Sequence, residues 1–463
     1  MSNNMLHDLA RQLRSRRIDR RTFLRDAAVI GASATAISSA RRAAPVARAQ
    51  DAGKVVFWTS HTEPDLTTLR LIVDTFNQEN ADIRVELTPV VGDETDVTKL
   101  MTAVRGGTGP DIYHLDRFNV AQRAADGVLR ELDEYLEGED ISETHIAFAA
   151  AEAKYQGKTY ALPTDTDARA LFCNRGMLQE VGIDPAELDP AKPITFARFA
   201  EIANQLNQTD QDGNYSRMGF AAYTDQAWHY TYGFAFGGKF FNEETCEVTP
   251  GDPGVVAGHQ WLYDYVKALD PQKVNAFAGP VAADQTVPEE QQVFVAKRTA
   301  FAITEDWYLG VLPEYAPDID FGLTLIPVPK EGDQSATWAG GWSVVIPQGA
   351  KNVEGAARFI RYIGGEPGQR TYATETKHLP TVKTLLQDTS LFGEDEQHRF
   401  FAETLLPTAK NRPPLPVGVK YWNELTAAWQ KIYLNEEEPA DALATVKDRV
   451  QGDLEAYCPI ETS

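Results

Sequence analysis

Cysteine is scarce. Three residues, Cys173, Cys246 and Cys458, in a chain of 463 are too few and too far apart for a disulfide framework or a zinc cluster. No run of about 18 apolar residues occurs, which excludes an ordinary membrane-spanning helix. Basic residues are outnumbered 44 to 67, for a formal net charge of −23. Such a surface repels phosphate backbones and anionic lipids, so no nucleic-acid partner is expected. Catalytic signatures are also missing. Gly341-Trp342-Ser343-Val344-Val345 lacks the last glycine of a nucleophile elbow. There is no His-Glu-x-x-His and no Cys-x-x-Cys, and the eight histidines are scattered singly, so no metal or cofactor is expected. Gly106 to Pro110 is not followed by the Lys-Ser/Thr of a phosphate cradle and reads as a helix stop before a strand.

What is present is ordinary globular composition: 43% hydrophobic, 10% aromatic and 24% charged residues. The length suggests two or three lobes rather than one core. Charge is unevenly spread. Residues 1–49 hold ten Arg and three Asp, which leaves −30 for the rest. Within them, Arg20-Arg21-Thr22-Phe23-Leu24 is a twin-arginine pattern, residues 27–39 form a short weakly apolar run, and Ala47-Arg48-Ala49 offers a small-x-small cleavage site. That order of features predicts a twin-arginine signal peptide over 1–49 and a mature start near Gln50. No cysteine lies near the cleavage site, so no lipid anchor on cysteine is expected. Export would permit one disulfide. Cys173 sits in the apolar Ala170-Leu171-Phe172-Cys173 and reads as a buried small hydrophobe, while a Cys246–Cys458 pair is left open by the spacing.

In the mature chain, residues 54–58 read as a buried strand, 65–78 as a helix with Leu66, Leu69, Ile72, Val73 and Phe76 on one face, and 82–91 as an alternating strand. Residues 98–104 read as a helix and 111–115 as a third strand. This β-α-β-α-β order implies a mainly parallel sheet with right-handed crossovers. A second block starts after Pro163, with a strand at 171–174, helices at 196–206, 251–269 and 289–295, and strands at 321–328 and 343–347. The remainder, 353–363, 371–376, 400–406, 422–434 and 439–457, reads as helical. Asp210 to Asn214 reads as a polar turn, because no Glu stands at the twelfth position of a calcium loop.

Aromatic residues, often beside a carboxylate, recur in segments that read as strand ends and loops: Asp225-x-x-Trp228, Glu305-Asp306-Trp307, Trp338-x-x-x-Trp342 and Tyr421-Trp422. Flat apolar sugar faces stack on such rings, and sugar hydroxyls need carboxylate, Arg or Asn partners. Each ring alone reads as core packing; the set points to a carbohydrate cleft. The pairs Asp165/Asp167 and Glu305/Asp306 could serve a glycosidase, but nothing in the sequence separates an acid from a base.

The order of segments resembles family 1 extracellular solute-binding proteins, the sugar-capturing components of ABC importers. The likeness rests on Val55-Val56-Phe57-Trp58, Phe76-Asn77-Gln78-Glu79-Asn80, Gly109-Pro110-Asp111-Ile112, and Gly157 to Pro163 followed by Phe172-Cys173-Asn174. Gly237-Gly238, Gly340-Gly341 and the helical end after Trp422 complete it. The triplet Asp116-Arg117-Phe118 is similar to one in maltodextrin binders. The resemblance implies sugar contacts from Asp116 and Arg117, a hinge-side carboxylate at Asp167, stacking by Trp307 and Trp422, and contacts from the loop of Asp225 and Trp228. His61-Thr62-Glu63 replaces the Asp-Lys pair of maltodextrin binders in the loop after the first strand. With Glu305, Asp306, Trp342 and Tyr421 these residues make up the expected ligand site.

The implied fold is α/β with two lobes, each a mainly parallel sheet flanked by helices, covering 53–163 with 327–363 and 167–321 with 367–459. Crossings are expected near 163–167, 321–327 and 363–367. The implied function is non-enzymatic capture of a mono- to oligosaccharide and delivery to membrane permease subunits of an ABC importer, by a monomer in the periplasm or outside the cell. The alternatives are a binder of a sugar phosphate, polyol or oligo-uronide, a sensor subunit that presents sugar to a membrane receptor, and a secreted glycan-acting enzyme.

Overall fold

The computed structural model describes residues 53–90, 98–278 and 288–460. The twin-arginine segment and the mature start near Gln50 lie outside the described residues. Among those described, no helix is long and apolar enough to cross a membrane.

Two five-stranded sheets organise the chain. In the first, the strand order is Ile83–Pro89, Gly53–Thr59, Ile112–Asp116, Trp342–Val345, Ala161–Pro163. Gly53–Thr59 pairs parallel with both of its neighbours, as the β-α-β-α-β reading expects. Trp342–Val345, which comes back late in the chain, is antiparallel to both of its own. Helix Asp65–Glu79 forms because Leu66, Leu69, Ile72, Val73 and Phe76 fall on one buried face. Asn77 then fixes the next strand by bonding both the N–H and the carbonyl of Val85. Asp111 explains its motif: its carboxylate accepts N–H bonds from Val56, Lys351 and Asn352, joining three segments far apart in sequence.

The second sheet runs Phe321–Thr324, Arg169–Asn174, Thr299–Glu305, Tyr215–Phe220, Gln208–Thr209. Its pairing is mixed. Only Thr299–Glu305 with Tyr215–Phe220 is parallel. Strand periodicity divides the core: Leu171 and Cys173 join one apolar cluster, Ala170 and Phe172 the other. Gly238 packs where helix Pro253–Ala268 begins, and a Cβ there would lie 2.4 Å from the Val255 nitrogen. Cys246 and Cys458 form a disulfide and Cys173 is a buried free thiol. The segment expected as a helix over 289–295 holds only a three-residue 3-10 turn, Glu289–Gln291.

Two expected crossings are corrected by the pairing. Phe321–Thr324 is an edge strand of the second sheet, and Thr337–Ala339 pairs with Ala409–Asn411, so the chain reaches the first sheet only at Gly340 and Gly341. Helix Glu366–Thr376 packs on helix Asp65–Glu79, with Tyr372 in the first sheet's core, so the last crossing follows Thr376 instead of lying at 363–367. There, Thr166 and Leu379 exchange backbone hydrogen bonds of 2.7 and 3.1 Å.

Candidate functional site

Where the two sheets face each other, side chains from both converge. The aromatic part is a cluster around Trp422, near the start of helix Gly418–Tyr433. Its ring centroid lies 5.7 Å from Phe118, 5.5 Å from Trp228, 5.9 Å from Tyr230 and 6.1 Å from Trp338. Trp422 is only partly buried, while Trp338 is fully buried.

The polar part is built from paired charges. Asp116 ends a first-sheet strand and receives the Arg412 guanidinium at 2.7 and 3.2 Å. Arg169 starts a second-sheet strand, pairs with Asp167 and Glu305, and stacks 3.3 Å from the Trp338 ring centroid. Glu305 also accepts the Trp307 indole N–H at 2.5 Å. Burial pushes Glu305 up to about 7, against the pull of Arg169. Asp225, in a left-handed conformation (φ 54°), is likewise pushed up to about 7 by burial, with the Thr224 hydroxyl opposing.

A third group sits beside the crossings. His61 packs edge-on against Trp342 with centroids 4.2 Å apart, and against His114 at 4.5 Å. Burial holds His61 neutral, down at about 4. Its Nε2 and the Asp165 Oδ2 are buried without a hydrogen-bond partner among the described residues. His378 lies 3.7 Å from Asp65 and 3.9 Å from Asp165. Burial disfavours its charge, but the hydrogen bond and charge of Asp65, with Asp165 and Asp306, win and raise it well above the usual histidine value.

The structure therefore brings together His61, Asp116, Asp167, Trp228, Glu305, Trp307, Trp342 and Trp422, with Asp225 at the margin of the Trp228 loop. It separates the others. Arg117 is fully buried: it pairs with Glu152 at 2.9 Å and donates to the carbonyls of Asp165, Gly340 and, at 3.4 Å, Trp342. It is a strut under two crossings, since every N–H it bonds serves the protein. At Gly341 (φ +122°) a Cβ would meet Arg117 at 2.3 Å, which accounts for the second of the paired glycines. Tyr421 is buried, with its hydroxyl on the Phe240 carbonyl. Asp306 is buried and accepts the Leu379 N–H at 2.8 Å. Glu63 turns back onto its own helix, bonding Thr67 and Arg70, and Thr62 is exposed beside it. Sequence reasoning did not single out Arg412, His378 or Phe118 as candidate contacts, and it placed Trp338 in the aromatic set without assigning it a contact. Arg412 stands alone in Asn411-Arg412-Pro413, and no local pattern marks it.

With this geometry in view, the comparisons are decisive for the family. The model of the bacterial extracellular solute-binding proteins matches residues 72–399. The chain belongs to that family. Among curated relatives, the solute-binding protein is 22% identical over 408 residues to the maltotriose-binding protein of Pyrococcus abyssi (strain GE5 / Orsay), covering 85% of this chain and 80% of that one. It is 21% identical over 366 residues to the galactooligosaccharide-binding protein of Bacillus subtilis (strain 168), covering 76% and 78%. Among solved structures, CpMnBP1 with mannobiose bound superposes with a TM-score of 0.75 at 20% identity, covering 86% of this chain and all of that one. The GacH receptor of Streptomyces glaucescens GLA.O, solved unliganded and with acarbose, gives 0.71 at 23% identity, covering 87% and 99%. These likenesses fix the two-lobed α/β fold.

Proposed function

We infer that the protein captures an oligosaccharide between its two sheets and delivers it, chemically unchanged, to the permease of an ABC importer. The observation that carries this reading is the Phe118–Trp228–Trp338–Trp422 cluster flanked by charge pairs. Rings of this kind take the apolar faces of pyranoses, and ionised groups held in place order hydroxyls through charge-assisted bonds. His61, Asp116, Asp167, Asp225, Trp228, Glu305, Trp307, Trp342 and Trp422 are the proposed contacts. The relatives' names, binders of maltotriose and galactooligosaccharide, support the same ligand class.

Charge balance favours a neutral ligand over a sugar phosphate or oligo-uronide. Among the described residues, Arg117, Arg169, Arg412 and His378 each face carboxylates of the protein, so none offers an unmatched charge to an anion. The proposed lobes are 53–163 with 342–376 and 167–339 with 382–459. Export through the twin-arginine leader to the periplasm or cell exterior, and action as a monomer, complete the reading. A thermal-shift screen of mono-, di- and oligosaccharides, polyols and sugar phosphates tests it. Saturation at about 1,000 times Kd adds roughly 4 kcal/mol, a shift of several degrees. A shift from sugar phosphates alone, or from no neutral sugar, would refute it.

A further inference from the structure

Arg412 stands at a meeting point that the sequence does not announce. It follows strand Ala409–Asn411, which pairs with Thr337–Ala339 on the second-sheet side. Its guanidinium crosses to Asp116, the end of a first-sheet strand, with one nitrogen on each carboxylate oxygen at 2.7 and 3.2 Å. The same plane lies 4.4 Å from the ring centroid of Phe118, 5.4 Å from Trp338 and 5.7 Å from Trp422. Arg412 is 4% exposed. Among the described residues Asp116 has no other ion-pair partner, and its side chain also accepts the N-cap bond from the Phe118 N–H at 3.2 Å.

This arrangement has two consequences. A forked donor on a carboxylate fixes the direction of the remaining lone pairs, so a ligand hydroxyl would meet Asp116 in one orientation. Separating the sheets would return both ions to water and uncover the three rings together. We propose that Arg412 is a positioning residue of the cleft, which aims the Asp116 carboxylate and draws the two halves together over the aromatic floor before any sugar arrives. The inference deepens the cleft reading above and rests on it for the role of Asp116. The bridge itself stands on contacts within the protein.

The test is a double-mutant cycle on the full chain with two readouts. The first is the radius of gyration without ligand, by small-angle scattering, for wild type, R412Q, D116N, R412Q/D116N and R412K. Each single variant is expected to expand, the double no further than the larger single, and R412K, which keeps the charge but loses the fork, to lie between. A wild-type radius for R412Q, or additive expansion, overturns the proposal. The second readout is affinity for maltotriose and mannobiose by calorimetry. R412Q weakens whichever binds at least tenfold, and adding D116N changes it little further. Binding of both sugars by R412Q at wild-type strength also overturns the proposal. If wild type binds neither sugar, maltotriose and mannobiose are excluded as its ligands, while the scattering cycle still decides the bridge. R412K covers a failure of R412Q to fold: a wild-type radius and affinity for R412K would show that the fork does not position Asp116.

Discussion

Replacing Arg117 by Met separates the structural role found here from the ligand role that the Asp116-Arg117-Phe118 triplet implies. Arg117 and Glu152 are both completely buried, so bulk solvent does not reach their 2.9 Å pair. Burial already raises Glu152, and the Arg117 charge opposes that rise. Removing one member of such a pair costs about 3–5 kcal/mol. R117M also frees the carbonyls of Asp165 and Gly340 at the crossings. At roughly 2–4 °C per kcal/mol for a lobe of about 150 residues, the midpoint should fall by about 6–20 °C. The assay is thermal unfolding of wild type, R117M, E152M and R117M/E152M at pH 7.5, with sugar titration well below each midpoint. The double variant should be more stable than R117M, because no buried charge is stranded, and folded R117M should keep its sugar affinity. A loss under about 1 kcal/mol, or a double variant as unstable as R117M, would refute the strut.

Trp422→Ala should lower sugar affinity by about 1–3 kcal/mol, roughly five- to 150-fold, read by calorimetry. Tyr421→Phe should leave affinity unchanged and cost about 1–2 kcal/mol of stability, because it strands the Phe240 carbonyl. Asp225 holds its proton more tightly folded than unfolded, so it lowers stability as pH rises from about 4 to about 7. Asp225→Asn cannot titrate, and should unfold at a higher temperature than wild type at pH 8, the gain fading toward pH 4. Reduction of Cys246–Cys458, which closes a loop of 212 residues, should cost about 2–5 kcal/mol, seen as a lower midpoint with dithiothreitol.

The parts legible in sequence were those encoded locally. The helix over 65–78 and the strands at 54–58 and 111–115 matched within a residue or two, because a single periodicity carries each. Strands Tyr215–Phe220 and Thr299–Glu305 escaped delineation, although the second is central to its sheet. Thr299–Glu305 is buried at every position, so it shows no alternation. The proposed contacts Trp228, Trp307 and Trp422 could be singled out because Trp228 and Trp307 stand near carboxylates along the chain and Trp422 stands beside Tyr421. Arg117 was read as a sugar contact and Arg412 was not singled out, for one reason. Whether a guanidinium faces ligand or protein depends on partners 35 and 296 positions away. Two of the three crossings lie elsewhere than expected because Thr337–Ala339 and helix Glu366–Thr376 choose their side by long-range packing.

The interleaved strand order of the first sheet has a consequence for biosynthesis. Ala161–Pro163 leaves the ribosome early, but its partner is Trp342–Val345. That same late strand joins it to Ile112–Asp116. About 180 residues must be made in between, roughly 10–40 s at bacterial elongation rates. Through that interval the nascent first lobe carries an open edge at Ile112–Asp116. A holdase that covers this edge, or a slow stretch of codons before position 342, would protect the chain while its last central strand is still unmade.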